Sequence, residues 1–377
     1  MTIEIRPVET KRDLKRFIRM PDPIYADDPN WVRPLMFERL AMLERTKNPY
    51  FDHAEARYWI AWRDGRPVGR ISAQIDRLAC ERAGRRIGHF GMFESIEDPA
   101  VADALFETAE EWLKAKGAEA AQGPYNLSIN SECGLLIDGF DTPPAIMMGH
   151  ARPWYGALVE GAGYAKAKDL IAYDYDITSA PPKVIQYIVD AGHRSPKIRL
   201  RPLNFKRYEE EIATVIDIFN DAWSDNWGFV PMTDREVEQM AKEIRPLLHP
   251  SRVFFADYED EPAAMMVTLV DINRLIHDFH GRLLPFNWAK LAWRLFVRPV
   301  RDFRVPLMGV RKKYQRSRLG AQLSLMVIEA CRRPTVARGG RRGELSWILE
   351  DNHGMRKVLD EIGSVPYKTY RIYEKPL

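Results

Sequence analysis

The chain has 377 residues, 46% hydrophobic and 29% charged, and a net charge of +3. That length favours two domains with a core each, and no apolar run approaches the ~18 residues of a membrane-spanning helix. Cys80, Cys133 and Cys331 share no disulfide or ligand spacing, and residues 1–7 lack a signal-peptide layout, so a cytoplasmic protein is expected.

In chain order, residues 3–8 read as an opening strand, and 11–20 and 32–45 as helical stretches. Residues 57–63 and 67–78 form a hairpin through Asp64-Gly65, a strong turn pair. After a strand at 86–93 come Glu94, Glu97, Asp98 and Pro99, carboxylates that suit a helix start but would repel a pyrophosphate. A glycine-rich polar loop, 123–144, is expected to wall an acceptor site. The second half then repeats the first. Residues 198–203 match 3–8 at an offset of 195, and Pro262-Ala263 and Asp271 match Pro67-Val68 and Asp76 at the same offset. Two separate matches at one spacing imply a duplicated domain. The expected boundaries are 1–178 and 198–377, with Ser179-Ala180-Pro181-Pro182 and Ser195-Pro196-Lys197 bracketing a linker at 179–197.

In the second half Phe219, Trp223 and Trp227 recur every four residues, a core spacing, and Asn226 to Phe229 follow as a loop. An insertion at 272–301 carries His277, Asp278 and His280. His-x-x-His begins a metal set that nothing else completes, so no metal is expected. A His with an Asp, or Asp271 itself, is instead a candidate base for an amine nucleophile. A helix at 286–300 holds Phe286, Trp288 and Trp293, with Asn287, Lys290, Arg294 and Arg298 on one face. This reads as a membrane-surface helix for an anionic lipid face, against the plainer reading of Lys and Arg stems covering apolar groups. From Arg294 to Arg342 the net charge is +12, leaving −9 elsewhere. Such a region is built to meet anions; sparse aromatics in its turn leave no nucleic-acid expectation.

Residues 303–323 form a strand, a basic turn (Arg311, Lys312, Lys313, Arg316, Arg318) and a helix start, a natural anion site. A strand at 344–349, Glu350-Asp351-Asn352 capping a helix, and a strand at 367–373 complete the order. This succession resembles the GNAT acyltransferase superfamily, whose Gln/Arg-x-x-Gly-x-Gly/Ala turn holds the coenzyme A pyrophosphate. Here Gln315, Arg316, Ser317, Arg318, Leu319 and Gly320 take those places, with Arg318 in place of the first glycine. The resemblance implies a coenzyme site at Gly309, Val310, Arg311, Gln315 to Ala321 and Asn352, in the second half. It also puts Glu350 beside the thioester. Leu359 stands where the family often has a tyrosine acid, so Tyr367, Tyr370 or His353 would substitute, or the thiolate leaves unassisted.

Longer phrases carry a closer likeness: 226–231, 281–285, 346–352 and 367–375, with 123–126 and 134–140 in the first half. They resemble a bacterial family of double-GNAT proteins that includes the bacterial ceramide synthases. The likeness implies an α/β (α+β) fold of two tandem GNAT-like domains, each a mixed, mostly antiparallel twisted sheet flanked by helices. It implies N-acylation of a sphingoid base by long-chain acyl-CoA, a co-substrate and not a resident cofactor. Trp223, Asn226, Trp227, Phe229, Phe286, Trp288 and Trp293 would line the acceptor path, with the protein peripheral on the inner face of the inner membrane. A small amine or peptide acceptor, and a non-catalytic lipid-binding role, are the alternatives.

Overall fold

In the computed structural model, which describes residues 2–377, Ile3–Pro7 (β1) lies antiparallel on Ala54–Arg63 (β2). Asp64 and Gly65 both take left-handed angles, φ 50° and 73°, the combination a tight two-residue hairpin needs. They lead into Arg66–Asp76 (β3), which is followed by Ile87–Ser95 (β4) and Ala120–Gly123 (β5). Short strands Tyr125–Asn126 (β6), Glu132–Cys133 (β7) and Leu135–Asp138 (β8) precede Ala165–Asp176 (β9). The second set is Ile198–Pro202 (β10), Val253–Tyr258 (β11), Glu261–Val270 (β12), Asp302–Val310 (β13), Arg342–Leu349 (β14) and Val365–Pro376 (β15). The principal helices are Lys11–Arg19 (α1), Met36–Leu43 (α2), Arg77–Ala83 (α3), Pro99–Ala115 (α4), Tyr155–Gly161 (α5) and Lys183–His193 (α6). They continue with Tyr208–Trp223 (α7), Asp234–Ile244 (α8), Ile272–Ile276 (α9), Asn287–Phe296 (α10), Arg318–Ala337 (α11) and His353–Glu361 (α12).

The duplication holds at the level of register. Ile3 faces Arg63 and Ile198 faces Tyr258, each shifted by the same 195 residues. The first hairpin has an irregularity between Ala61 and Trp62, and its copy has one between Ala256 and Asp257. Glu259 and Asp260 repeat the left-handed turn without a glycine, at φ 51° and 66°. The chain forms two compact units that are not consecutive halves. One comprises residues up to Leu170 with Ile276–Trp288 and Lys368–Leu377; the other comprises Ile171–Leu275 and Ala289–Tyr367.

Each unit buries both faces of a mostly antiparallel sheet. In the second, Phe303, Val305 and Leu345 pack with Ile185 and Val189 of α6 and Leu323 and Val327 of α11. Opposite them, Met265, Val267 and Leu269 pack on Val215, Ile218 and Phe219 of α7. In the first, Phe90 and Phe93 of β4 meet Phe106 of α4 at ring separations of 5.2 and 4.7 Å. The segment 123–144, expected as a polar loop, contains β6, β7 and β8; the neighbours Leu135 and Leu136 are both buried, so it pairs instead of wandering.

Candidate active site

Two strands of the second unit part company. β13 runs parallel to β14 over Asp302–Val305 and Arg342–Leu345, and the ladder ends there. The next residue, Pro306, has no N–H to extend it. β13 stays on β12 as far as Val310, with one extra residue between Arg304 and Leu307, a bulge opposite Val267–Leu269. The carbonyls of Met308 and Val310 turn from β12 and accept from Trp223 Nε1 (3.2 Å) and Gln315 Nε2 (2.8 Å). In an extended strand a residue's N–H and C=O share a side, so the amides of Met308 and Val310 face the same opening. Trp223 and Trp347 stand together at its flank, with ring centroids 6.0 Å apart.

At the end of β13 the chain makes the basic turn. Lys312–Tyr314 is a short 3-10 turn, Arg316 takes a left-handed φ of 57°, and Ser317 caps α11 by accepting from Gly320 N at 3.0 Å. A Cβ on Gly320 would lie 2.3 Å from the Tyr314 carbonyl oxygen, so only glycine permits the turn to fold over the helix start. Three of the cations are already balanced. Arg311 pairs with Asp217, Lys313 with Glu261, and Lys312 with Asp225 at 2.6 Å. Asp221 also accepts from Lys312 N at 2.7 Å. Arg316 and Arg318 are exposed and have no ion pair among the described residues. An anion would therefore be met best by the first turn of α11, with those two guanidinium groups beside it.

Where β13 and β14 still pair, the sheet buries charge. Arg304 lies opposite Glu344; both are buried, as is Ser346. Arg304 Nε donates to Ser346 Oγ at 2.9 Å, and the hydroxyls of Ser346 and Tyr367 both donate to Glu344. A buried ion pair costs more than it returns unless its remaining lone pairs are met, and here they are. Burial and the Glu344 carboxylate push the Tyr367 phenol far above its ordinary range, so it keeps its proton. None of Arg304, Glu344, Ser346 or Trp347 emerged as a site residue from sequence. Their one signal is a charge at every second place in an otherwise apolar strand.

The other expected residues divide between the units. Asp271 is buried at the end of β12 and accepts from Asn273 N at 3.2 Å, while Asp76 at the matching place accepts from Leu78 N at 2.9 Å. Both cap the helix that follows, and the second oxygen of Asp271 lies 3.8 Å from Arg274 Nε. Asn352 likewise spends its side-chain oxygen on Met355 N (3.1 Å) as the cap of α12. Glu350 follows β14 directly, and its carbonyl accepts from Arg356 (2.8 Å). Leu359 is core, and His353 is exposed on α12. Phe229 is buried against Phe219, and Asn226 and Trp227 are half-buried in the same loop. Gly309 packs against Ile218 and Ala222 of α7, and Leu319 lies against the core, whereas Ala321 is exposed. His277 and His280 are counted with the first unit, where His277 Nε2 bonds the Pro29 carbonyl (2.9 Å) and Arg33 donates to the His280 carbonyl. Tyr370 is wholly buried in that unit as well. Phe286, Trp288 and Trp293 are exposed.

The first unit handles the equivalent strands differently. β4 and β5 pair over Ile87–His89 and Ala120–Gln122 and then separate, but β6 runs into the space. A Cβ on Gly91 would lie 1.7 Å from the Tyr125 carbonyl oxygen. Asn126 Oδ1 accepts from Met92 N (2.8 Å), and Gln74 Nε2 donates to the carbonyls of Tyr125 (2.8 Å) and Leu127 (3.2 Å). Beyond it Glu94 is half-buried, accepting from Tyr25 (2.8 Å) and Tyr155 (2.7 Å) beside Arg70. Asp98 caps α4 through Ala100 N. The gap is filled, and a carboxylate stands past its end. Residues 123–126, expected to wall an acceptor, seal this gap.

Among the described residues no three His, Cys, Asp or Glu side chains converge as metal ligands, and no helix is long and apolar enough to cross a membrane. No family model matches the chain. It is 48% identical over 376 residues to the bacterial ceramide synthase of Caulobacter vibrioides (strain NA1000 / CB15N), covering 100% of this chain and 98% of that one. It is 46% identical over 376 residues to protein YghO of Escherichia coli (strain K12), covering 99% and 95%. In structure it is similar to a tandem GNAT protein from the clavulanic acid biosynthesis pathway, at TM-score 0.59 and 12% identity over 100% of this chain and 98% of that one.

Proposed function

This chain belongs to the family of tandem GNAT proteins that includes bacterial ceramide synthase, and from that membership we propose that it transfers a long-chain fatty acyl group from coenzyme A to the amine of a sphingoid base. The observation that carries the coenzyme half of this reading is the opening between β13 and β14, which leads to the capped start of α11. The pantetheine arm would run along the β13 edge, meeting the amides of Met308 and Val310, and its pyrophosphate would rest on the α11 amides between Arg316 and Arg318. The acceptor half rests on the Caulobacter relative's name, and Trp223 and Trp347 supply an apolar flank for it.

In the reaction the amine nitrogen attacks the thioester carbon, a C–N bond forms, the C–S bond breaks, and the nitrogen sheds a proton. Tyr367 holds its own proton too tightly to serve a thiolate, whose conjugate acid titrates near pKa ~8.5. The thiolate therefore leaves unassisted, and Tyr367 instead braces Glu344 at the apex of the gap. We assign proton removal to Glu350, the carboxylate directly after β14. Positioning and exclusion of water supply the rest. The test is incubation with long-chain acyl-CoA and either sphinganine or its 3-keto form, with the amide detected by mass and coenzyme release by thiol titration. Thiol release with short acyl chains and small amines, and no amide with either long-chain base, would replace this reading with a small-molecule acyltransferase.

A further inference from the structure

Among the described residues, six of the ten exposed large hydrophobics fall in one stretch: Leu284, Phe286, Trp288, Trp293, Phe296 and Val297. Phe286 and Phe296 are 80% and 77% exposed. Surface helices ordinarily turn their apolar stripe inward, and α10 does the reverse over much of its girth. Its inward side uses Leu291 and Leu295, the latter packed on the second unit's core, while Ala289, Trp293, Phe296 and Val297 form the outward side by i,i+4 and i,i+3 spacing. Along the flank between these two sides run Asn287, Lys290, Arg294 and Arg298. Asn287 is tied to the Arg282 carbonyl and Arg294 to that of Leu275, whereas Lys290 is exposed and Arg298 stacks over Trp293 at 5.0 Å. The cationic stripe foreseen from spacing exists, but it borders the apolar face and does not oppose it.

From Arg282 to Arg301 there are five Lys or Arg residues and no Asp or Glu. An apolar face bordered on one flank by cations, with no carboxylate in the stretch, is mismatched to another copy of itself, where like charges would meet, and matched to a layer that is oily inside and anionic at its boundary. Two indoles add side chains that favour that boundary. We propose that α10 and the turn before it dock this protein on anionic glycerophospholipid membrane, with Phe286, Trp293, Phe296 and Val297 entering the acyl region and Lys290 and Arg298 at the headgroups. The inference stands on exposure and charge and does not depend on which amine is acylated.

Flotation of the full chain with vesicles of phosphatidylcholine alone, or mixed with phosphatidylglycerol, tests it. Wild type is expected to float with the mixed vesicles, with a blue-shifted tryptophan emission, and to be released by salt. Trp293→Glu/Phe296→Glu should weaken binding by about a hundredfold, since burying each aromatic contributes about one to two factors of ten. Lys290→Glu/Arg298→Glu should weaken it by about tenfold or more. Both variants alter exposed positions, so unchanged melting temperatures should confirm that they fold. Undiminished flotation of the aromatic variant overturns the proposal. So does a wild-type dimer that this variant converts to monomer without any vesicle binding, because the face would then be an interface between copies. Loss of flotation in Lys290→Glu/Arg298→Glu, with normal acyl transfer to a water-soluble amine, separates membrane docking from the catalytic reading.

Discussion

The same pair of parallel strands ends in opposite ways in the two units. In the second, β13 leaves β14 after Val305, and Pro306 withholds the amide that would have continued the ladder. In the first, β4 leaves β5 after His89, and Tyr125 and Asn126 are pressed into the space so closely that Gly91 tolerates no side chain. The end of the gap differs too: a glycine-pinned, Ser-capped helix start with two exposed arginines in one, a half-buried glutamate held by two tyrosines in the other. A fold copied within one chain thus keeps its framework and diverges where a ligand would go. One copy fills the gap with its own chain, and the other keeps it open.

The contrast can be broken most severely at Gly91. Gly91→Ala drives a methyl into the Tyr125 carbonyl, and should cost about 3 kcal/mol or more, read as a lowered denaturation midpoint. Folded protein that remains should keep its KM for acyl-CoA. Next comes acid. His89, behind the filled gap, is buried with no partner for Nδ1, and burial lowers its pKa from 6.5 to about 4. A histidine whose folded pKa lies below its unfolded value binds its proton less readily when folded. Stability is therefore full above pH 6.5, falls as the pH drops, and levels off near 4, by a total of about 3 kcal/mol. Unfolding midpoints of wild type and His89→Gln should converge toward acid pH, and parallel curves would remove His89 as the cause.

In the open copy, Arg316→Glu/Arg318→Glu should raise the acyl-CoA KM by about fiftyfold, near 2 kcal/mol, with little change in melting. Matching reversals at Arg63, beside the cap of α4, should leave KM alone. Wild-type KM in the double variant would displace the coenzyme from this turn. Trp347→Ala is the mildest change, expected to lower kcat/KM by about tenfold as the flanking contact with Trp223 is lost, near 1.4 kcal/mol.

Much of the framework was legible because its signals are local. Asp64-Gly65 announces a hairpin from two residues, and the offset of 195 carried that hairpin to Glu259 and Asp260, where no turn signature exists. The helix start at Ser317 and Gly320 could be read likewise, since cap and glycine are neighbours in sequence. What escaped notice depends on distant partners. Arg304 and Glu344 look like solvated charges until strand pairing sets them face to face. His277 and His280 look like a catalytic pair, yet the hydrogen bonds of this stretch run to Pro29 and Arg33. Asp271 and Asn352 look like chemistry, but each satisfies a helix's first amides, a duty that residue type alone does not distinguish from catalysis. The strands within 123–144 were hidden because Tyr125 and Asn126 fill a gap that the sequence does not display.

The step from third to fourth strand takes residues 77–86 in the first unit and 271–301 in the second. The first shows how short a bridge two such strands need, so the surplus of the second goes to other ends: Ile276 and Phe279 are buried, and Leu295 rests on the core. Surplus chain that has put down roots of this kind no longer detaches cleanly, and a shortened bridge would bare apolar surface now hidden.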